Sequence, residues 1–287
     1  MAHRRCFIPC VTLVALSFYA NLVLAQASDA AIDELMRKSG IAHLLDGFAS
    51  QVEEGFASAL AEDPQVGALL GGAERELRES AREVFASYLL TADMQQTLAQ
   101  HLSTEQADET IAWLDSPLGQ RITALENAST TTAYAEGLAA YAANLADQPP
   151  AQRRLALLGQ LDQAANVSES SVQIVLHMQL ALALAVAETL PEQERPTAAQ
   201  LLQQLESERP AIEQQLRQYS LLSLLFTYRD VADDELEQYI GFLMSPPGAA
   251  YQAAALRGLD VTLTRAVRRW GNDIGRILNT ASQRSST

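Results

Sequence analysis

Asp115, Gln120 and Arg121 crowd one turn signal, Ser116-Pro117-Leu118-Gly119, and four arginines, Arg265, Arg268, Arg269 and Arg276, follow one another near the C-terminus. A carboxylate, an amide and a guanidinium in one bend can recognise a polar partner through charge-assisted hydrogen bonds. They are not the parts of a nucleophilic or metal-assisted site. Beyond residue 25 the histidines are His43, His101 and His177. None has another His three or four residues away and no His-Glu-x-x-His occurs, so zinc hydrolysis has no support in the sequence. There is no Gly-x-Ser-x-Gly elbow, and Gly71-Gly72 is followed by Ala-Glu-Arg rather than by the lysine of a phosphate loop. No cofactor is therefore expected. The chain has 35 Asp+Glu, and a glycosidase needs only two of them. Spacing singles out no pair, so a carboxylate-dependent hydrolase is the third functional reading.

The 287 residues carry 20 Lys+Arg, for a net charge of −15 at pH 7. That balance argues against sequence-independent binding to nucleic acid, which needs phosphates neutralised by basic residues. Lys38 is the only lysine. Residues 1–25 read as a cleavable secretory signal: His3-Arg4-Arg5, an apolar stretch from Cys6 to about Leu24, then Val23-Leu24-Ala25 before Gln26. Cleavage after Ala25 removes two arginines and makes the mature charge −17. A retained membrane anchor is the alternative, since the apolar stretch is nearly long enough to span a bilayer. Both cysteines, Cys6 and Cys10, lie in the leader, so the mature chain has neither a disulfide framework nor a thiolate nucleophile. A periplasmic location is expected, with secretion as the alternative.

The elements that must position the candidate residues are helical. Apolar residues recur at helical spacing over Ile32–Leu45 and again from Leu201 to Leu222, and alternating strand patterns are absent. An all-α fold is predicted. Punctuation falls at Asp63-Pro64, Gly71-Gly72, Ser116-Pro117, Pro149-Pro150, Leu190-Pro191, Arg195-Pro196, Arg209-Pro210 and Ser245-Pro246-Pro247. Pro149-Pro150 lies near the middle of the mature chain and divides it into a first helical module, 26–148, and a second, 149–287. The pair is expected to pack as an elongated bundle. An offset of 129 residues lays Ile111–Ala124 on Ile240–Ala253 with six of 14 positions identical and Trp113 on Phe242. A tandem duplication is the reading. In each copy Ser116 or Ser245 is expected to cap a helix whose first residue is Pro117 or Pro246. Gly119 and Gly248 then allow two helices to approach closely. Ser103-Thr-Glu-Gln106 is a capping box for the preceding helix. In the second copy Ala232 replaces that Ser, and Asp233 is expected to cap one residue later.

At these residues the sequence resembles a bacterial family, domain of unknown function 2059. The resemblance is carried by Ser103-Thr-Glu-Gln, Trp113-Leu-Asp-Ser-Pro-Leu-Gly119-Gln-Arg121 and, again, Asp233-Asp-Glu-Leu and Phe242-Leu-Met-Ser-Pro-Pro-Gly248. It implies an exported helical domain of no assigned activity, in two copies. Gln120-Arg121 become Ala249-Ala250 in the second copy.

Two readings of the polar bend follow: a recognition patch on the first copy, or a first bend that is simply wet while the second is buried. The latter is favoured. Leu256, Leu259, Leu263, Val267, Trp270, Ile274 and Ile277 form one apolar seam, with Arg265, Arg268, Arg269 and Arg276 off it. The seam is expected to close the protein's own bundle while the arginines neutralise its acidic body. A weak contact with an anionic membrane surface and a docking face for an acidic partner are the functional alternatives. His177 is expected in a core helix over 170–187, neutral and hydrogen-bonded, and His101 in an exposed loop. The leading functional reading is a non-catalytic module that binds an envelope protein. The runner-up is a small-molecule or lipid binder with a pocket between the modules, lined by Trp113, Phe242 and the 172–187 helix.

Overall fold

A computed structural model describes residues 25–62, 73–129, 131–187, 190 and 193–285. The leader over 1–24, with Cys6 and Cys10, and the turn signals Asp63-Pro64 and Gly71-Gly72 lie outside these residues. The described residues form twelve helices. They are α1 (Asp29–Lys38), α2 (Ile41–Glu62), α3 (Glu74–Val84), α4 (Ser87–His101), α5 (Thr104–Leu114) and α6 (Pro117–Ala128). After them come α7 (Thr132–Asn144), α8 (Gln152–Ala165), α9 (Val167–Ala187), α10 (Ala198–Thr227), α11 (Asp233–Leu243) and α12 (Pro246–Ser285). The fold is all-α, as the periodicity predicts, and the described residues hold no strand beyond an isolated bridge between Gln26 and Ser103.

Both Ser-Pro-x-Gly segments make the same bend. Ser116 accepts from the Gly119 N–H at 3.0 Å and Ser245 from the Gly248 N–H at 3.3 Å, each followed by Pro as the first helical residue. Ending the preceding helix, the Asp115 N–H donates to Ile111 O and the Ser116 N–H to Trp113 O. The Met244 and Ser245 N–H groups donate likewise to Ile240 O and Phe242 O. A methyl group on Gly119 would collide with the Trp113 carbonyl oxygen and stand 3.0 Å from Leu114 Cα. On Gly248 it would collide with the Phe242 carbonyl oxygen and stand 2.8 Å from the Phe242 carbonyl carbon. Backbone cannot swing aside as a flexible side chain can, so both positions require glycine.

Three expectations are corrected. Asp233 does not cap α11: Ala232 is the capping position, and its N–H donates to the Glu235 carboxylate at 2.9 Å, half of a capping box. Asp233 instead accepts from Arg154 at 2.8 Å. Pro210 does not end a helix but lies inside the 30-residue α10. Packing of α10 along α9 offsets the lost backbone hydrogen bond, and Arg209 ties that turn to Glu169 and Glu213. His101 is the last residue of α4, exposed, with Nδ1 2.8 Å from Thr97 O.

Pro149-Pro150 falls between α7 and α8, but the chain on either side of it does not form separate cores. The larger core joins Leu35, Leu45, Phe85, Leu90 and Leu98 of α1–α4 to Leu263, Val267, Trp270 and Ile274 of α12. Phe85 meets the Trp270 ring edge-on at 5.8 Å. The second core joins Ile122 of α6 to Leu158 and Leu161 of α8, Leu224 of α10 and Leu236 and Ile240 of α11. The seam on α12 is therefore used internally, and its last helix completes the first half of the chain.

Gly248→Ala is expected to destabilise the fold by about 3 kcal/mol, the upper range for overpacking. Gly241→Ala, on a stretch of α11 where a methyl group meets nothing within 4 Å, is expected to be neutral or to stabilise by roughly 0.5–1 kcal/mol. Urea unfolding of the two variants side by side checks both.

Candidate functional site

The residues that the 129 offset equates meet face to face. Trp113, on the last turn of α5, stacks on Phe242, on the last turn of α11, with ring centroids 4.3 Å apart and planes 8° from parallel. Tyr239, one turn before Phe242, stacks on the same indole at 5.1 Å. Trp113 packs against both cores and so joins them. The two rings fill the space directly between them with each other.

Behind this stack lies Glu126 on α6. Its Oε1 accepts from Tyr228 at 2.6 Å and from Tyr239 at 2.8 Å. Burial of the carboxyl pushes its pKa above the ordinary value, and the two phenol hydrogen bonds pull it part of the way back. Burial also raises the phenols: Tyr228 and Tyr239 well above their usual value, with the Glu126 charge adding to it, and Tyr251 to about 12. A protonatable carboxyl among tyrosines has the chemistry of a general acid. Sequence reasoning missed Glu126 because its partners stand 102 and 113 residues away, and no local spacing signals that meeting.

The candidate polar residues of the first bend are all engaged within the chain. Lys38 of α1 donates to both Asp115 oxygens, and Gln120 Nε2 donates back to Asp115 O at 2.9 Å. Arg121 reaches across to the second motif and grips Glu235 with two hydrogen bonds, 2.9 and 2.6 Å. That contact and the Ala232 N–H hold the Glu235 carboxyl below the usual range. The first bend is wet as expected, with Asp115, Gln120 and Arg121 all exposed, but the second is not buried: Met244 is 71% exposed. On α12, Arg265 and Arg269 converge on Asp93 of α4 at 2.7 and 2.9 Å, and Arg276 pairs with Asp273. Arg268 is exposed.

A recess of about 610 Å³ lies elsewhere, between α8, α9 and α10. Leu155, Leu158, Val172, Leu221 and Leu224 supply apolar lining, and Asp162, Asn166, Glu169, Glu213 and Arg217 supply polar groups. Asn166, in the left-handed conformation (φ 53°), ends α8. Asp162 then accepts from both the N–H and the hydroxyl of Ser168 at 2.9 Å, fixing the turn into α9. Gly159 of α8 also lines this recess, and a methyl group placed on it meets nothing within 4 Å. His177 lies in α9 as expected, partly buried, with Nδ1 2.7 Å from Gln173 O and Nε2 3.0 Å from Thr264 Oγ1. Among the described residues no His, Cys, Asp and Glu gather in a group that could hold a metal ion. No described helix is long and apolar enough to cross a membrane.

The raised Glu126 pKa has a definite sign. The unfolded chain ionises this carboxyl first, so stability falls as pH rises from the ordinary carboxyl value towards the folded one. Glu126→Gln leaves Oε1 to accept from both tyrosines and is expected to abolish that slope and raise the urea midpoint at pH 7. Unfolding curves at pH 4.5, 6 and 7 test it. The Arg121–Glu235 pair is nearly half exposed on the Arg side, and a double-mutant cycle is expected to give a coupling below about 1 kcal/mol.

No curated protein and no solved structure matches the chain. One protein-family model does match, over residues 89–148: uncharacterised proteins conserved in bacteria, domain of unknown function 2059. The matched stretch runs from α4 through the capping box, the Trp113 bend and α6 to the end of α7. The segment that carries Trp113, Arg121 and Glu126 thus matches the model of this bacterial family, DUF2059.

Proposed function

We propose that the protein is an exported, non-catalytic helical protein that binds another polypeptide of the bacterial envelope along the recess between α8, α9 and α10. In this reading the leader is removed after Ala25 and the chain resides in the periplasm. The two Ser-Pro-x-Gly segments derive from a tandem duplication, a reading supported by α5 and α11 having bounds 129 residues apart and the same bend after each.

The observation that carries the binding surface is the recess itself, with apolar residues of three helices on its floor and Gly159 leaving it unobstructed from α8. Along its edge α10 exposes Leu221 (36%). An apolar floor with a charged rim suits the anchor residues of a docked helix or extended segment. The bend residues Asp115 and Arg121 and the α12 residues Arg265, Arg269 and Arg276 already hold partners of their own, which favours the recess over them as the docking face. The non-catalytic reading is supported by Glu126 standing outside the lining of this recess.

Gly159→Trp fills the recess from α8 and is expected to change stability by less than about 0.5 kcal/mol, as a surface substitution does. A photo-crosslinking residue at Leu221 should capture one dominant envelope protein in cells, and Gly159→Trp should reduce that product at least tenfold. The same probe at Tyr88, exposed outside the recess, should not capture it. An undiminished crosslink in Gly159→Trp would sink the assignment. A rise in melting temperature of the purified protein with small molecules, abolished by Gly159→Trp, would instead assign the recess to a small ligand.

A further inference from the structure

The residues that follow the expected cleavage point are bound to the body of the protein. Ala27 is 5% exposed, and its N–H donates to Leu102 O at 3.0 Å. Gln26 forms an antiparallel bridge with Ser103, and Thr104 Oγ1 donates to Gln26 O at 3.0 Å. Two residues on, Ser28 caps α1 by accepting from the Ala31 N–H. No linker separates the Ala25–Gln26 bond from this docked strand. Ala25 itself lies in a recess with Ser103, Thr104, Glu105, Asp108 and Glu109, its carbonyl accepting from the Thr104 N–H at 2.9 Å. This acidic recess is thus walled on one side by the chain's own backbone at the expected scissile bond.

We propose that the α-ammonium created at Gln26 by leader removal is held as an ion pair over the start of α5 by Glu105, Asp108 and Glu109, latching α1 to α5. This rests on the reading that the leader is cleaved after Ala25. Hydrolysis adds water across the Ala25–Gln26 amide; Ala25 leaves as a carboxylate and the Gln26 amine takes up a proton. Thr104 loses the Ala25 carbonyl, but the hydrogen bonds at Gln26 O and Ala27 N remain and fix where the new charge stands. The N-terminus of α5 opposes an ammonium with about half a positive charge, whereas three carboxylates on its first two turns favour it. The other titratable groups flanking the strand are Asp29, at the start of α1, and His101, at the end of α4. A favoured ammonium has a raised pKa, so the stability it contributes is full below the ordinary amine value, about 7.7–8.0, and is lost as pH rises through the folded value.

The test exploits a chain with one lysine. Full-length precursor is exported with its own leader, and the intact mass of the purified product establishes where it starts. Reductive methylation with a carbon-13 label then tags two amines, Lys38 and the α-amine, whose NMR signals are followed against pH. The α-amine is expected to hold its proton at least threefold more tightly than an ordinary one. It should return to ordinary behaviour in the triple variant Glu105→Gln, Asp108→Asn, Glu109→Gln. These three residues are exposed, and Asp108→Asn alone, with circular dichroism as the check of folding, should move the titration part of the way. A start at Gln26 with an ordinary amine, a cyclised Gln26, or a triple variant that titrates like its parent overturns the latch. A start elsewhere overturns the cleavage reading and the latch with it.

Discussion

Two helices cannot turn sharply on one another unless something at the corner is missing, and here what is missing is a methyl group. At both bends the third residue of the new helix lies against the carbonyl of the aromatic residue next to last in the old one. The rest of the architecture follows from that contact. It sets the direction in which α6 and α12 leave, brings Trp113 and Phe242 to the same place, and lets their rings close the space between the two cores. Offset-stacked aromatic pairs contribute about 0.5–1.5 kcal/mol beyond the area they bury. Trp113 makes two such contacts while touching both cores.

Around this shared corner the two motifs are chemically unequal, and each inequality has a local cause. Asp115 has Lys38 opposite it because α1 runs beside the first bend; Met244, its counterpart, has water. Arg121 pairs with Glu235, the residue that also caps α11, whereas the counterparts of these two are Ala250 and Gln106. Ala250 packs against the larger core, where an arginine would bury an unpaired charge. Gln106 needs no charge to complete the capping box with Ser103. On α12 the arginines sit over an acidic protein, and Asp93 alone takes two of them. Such exposed pairs orient the helix more than they stabilise it.

What could be read in the sequence was what depends on neighbours along the chain. The capping box at Ser103, the Pro117 and Pro246 helix starts, the two required glycines and the apolar seam of α12 are all encoded within a few residues. What depends on distant partners was not legible. Nothing near Glu126 announces Tyr228 and Tyr239, and nothing near Arg121 announces Glu235. Pro210 illustrates the converse: a strong local signal for a break yields to packing of α10 against α9. Gly159 carried no signal, because an isolated helical glycine looks the same whether it faces solvent, a neighbour or an open recess.

The position of α12 has a consequence for how this chain can acquire its structure. The core of its first hundred residues contains Leu263, Val267, Trp270 and Ile274. A polypeptide emerging N-terminus first therefore has no finished interior to collapse onto until its last forty residues arrive. Contacts between ends so far apart in sequence make for slow closure of the loop that joins them. Until that moment α1 to α4 present an apolar face with nothing to cover it. The first half of the core thus closes only once the end of the chain has been made.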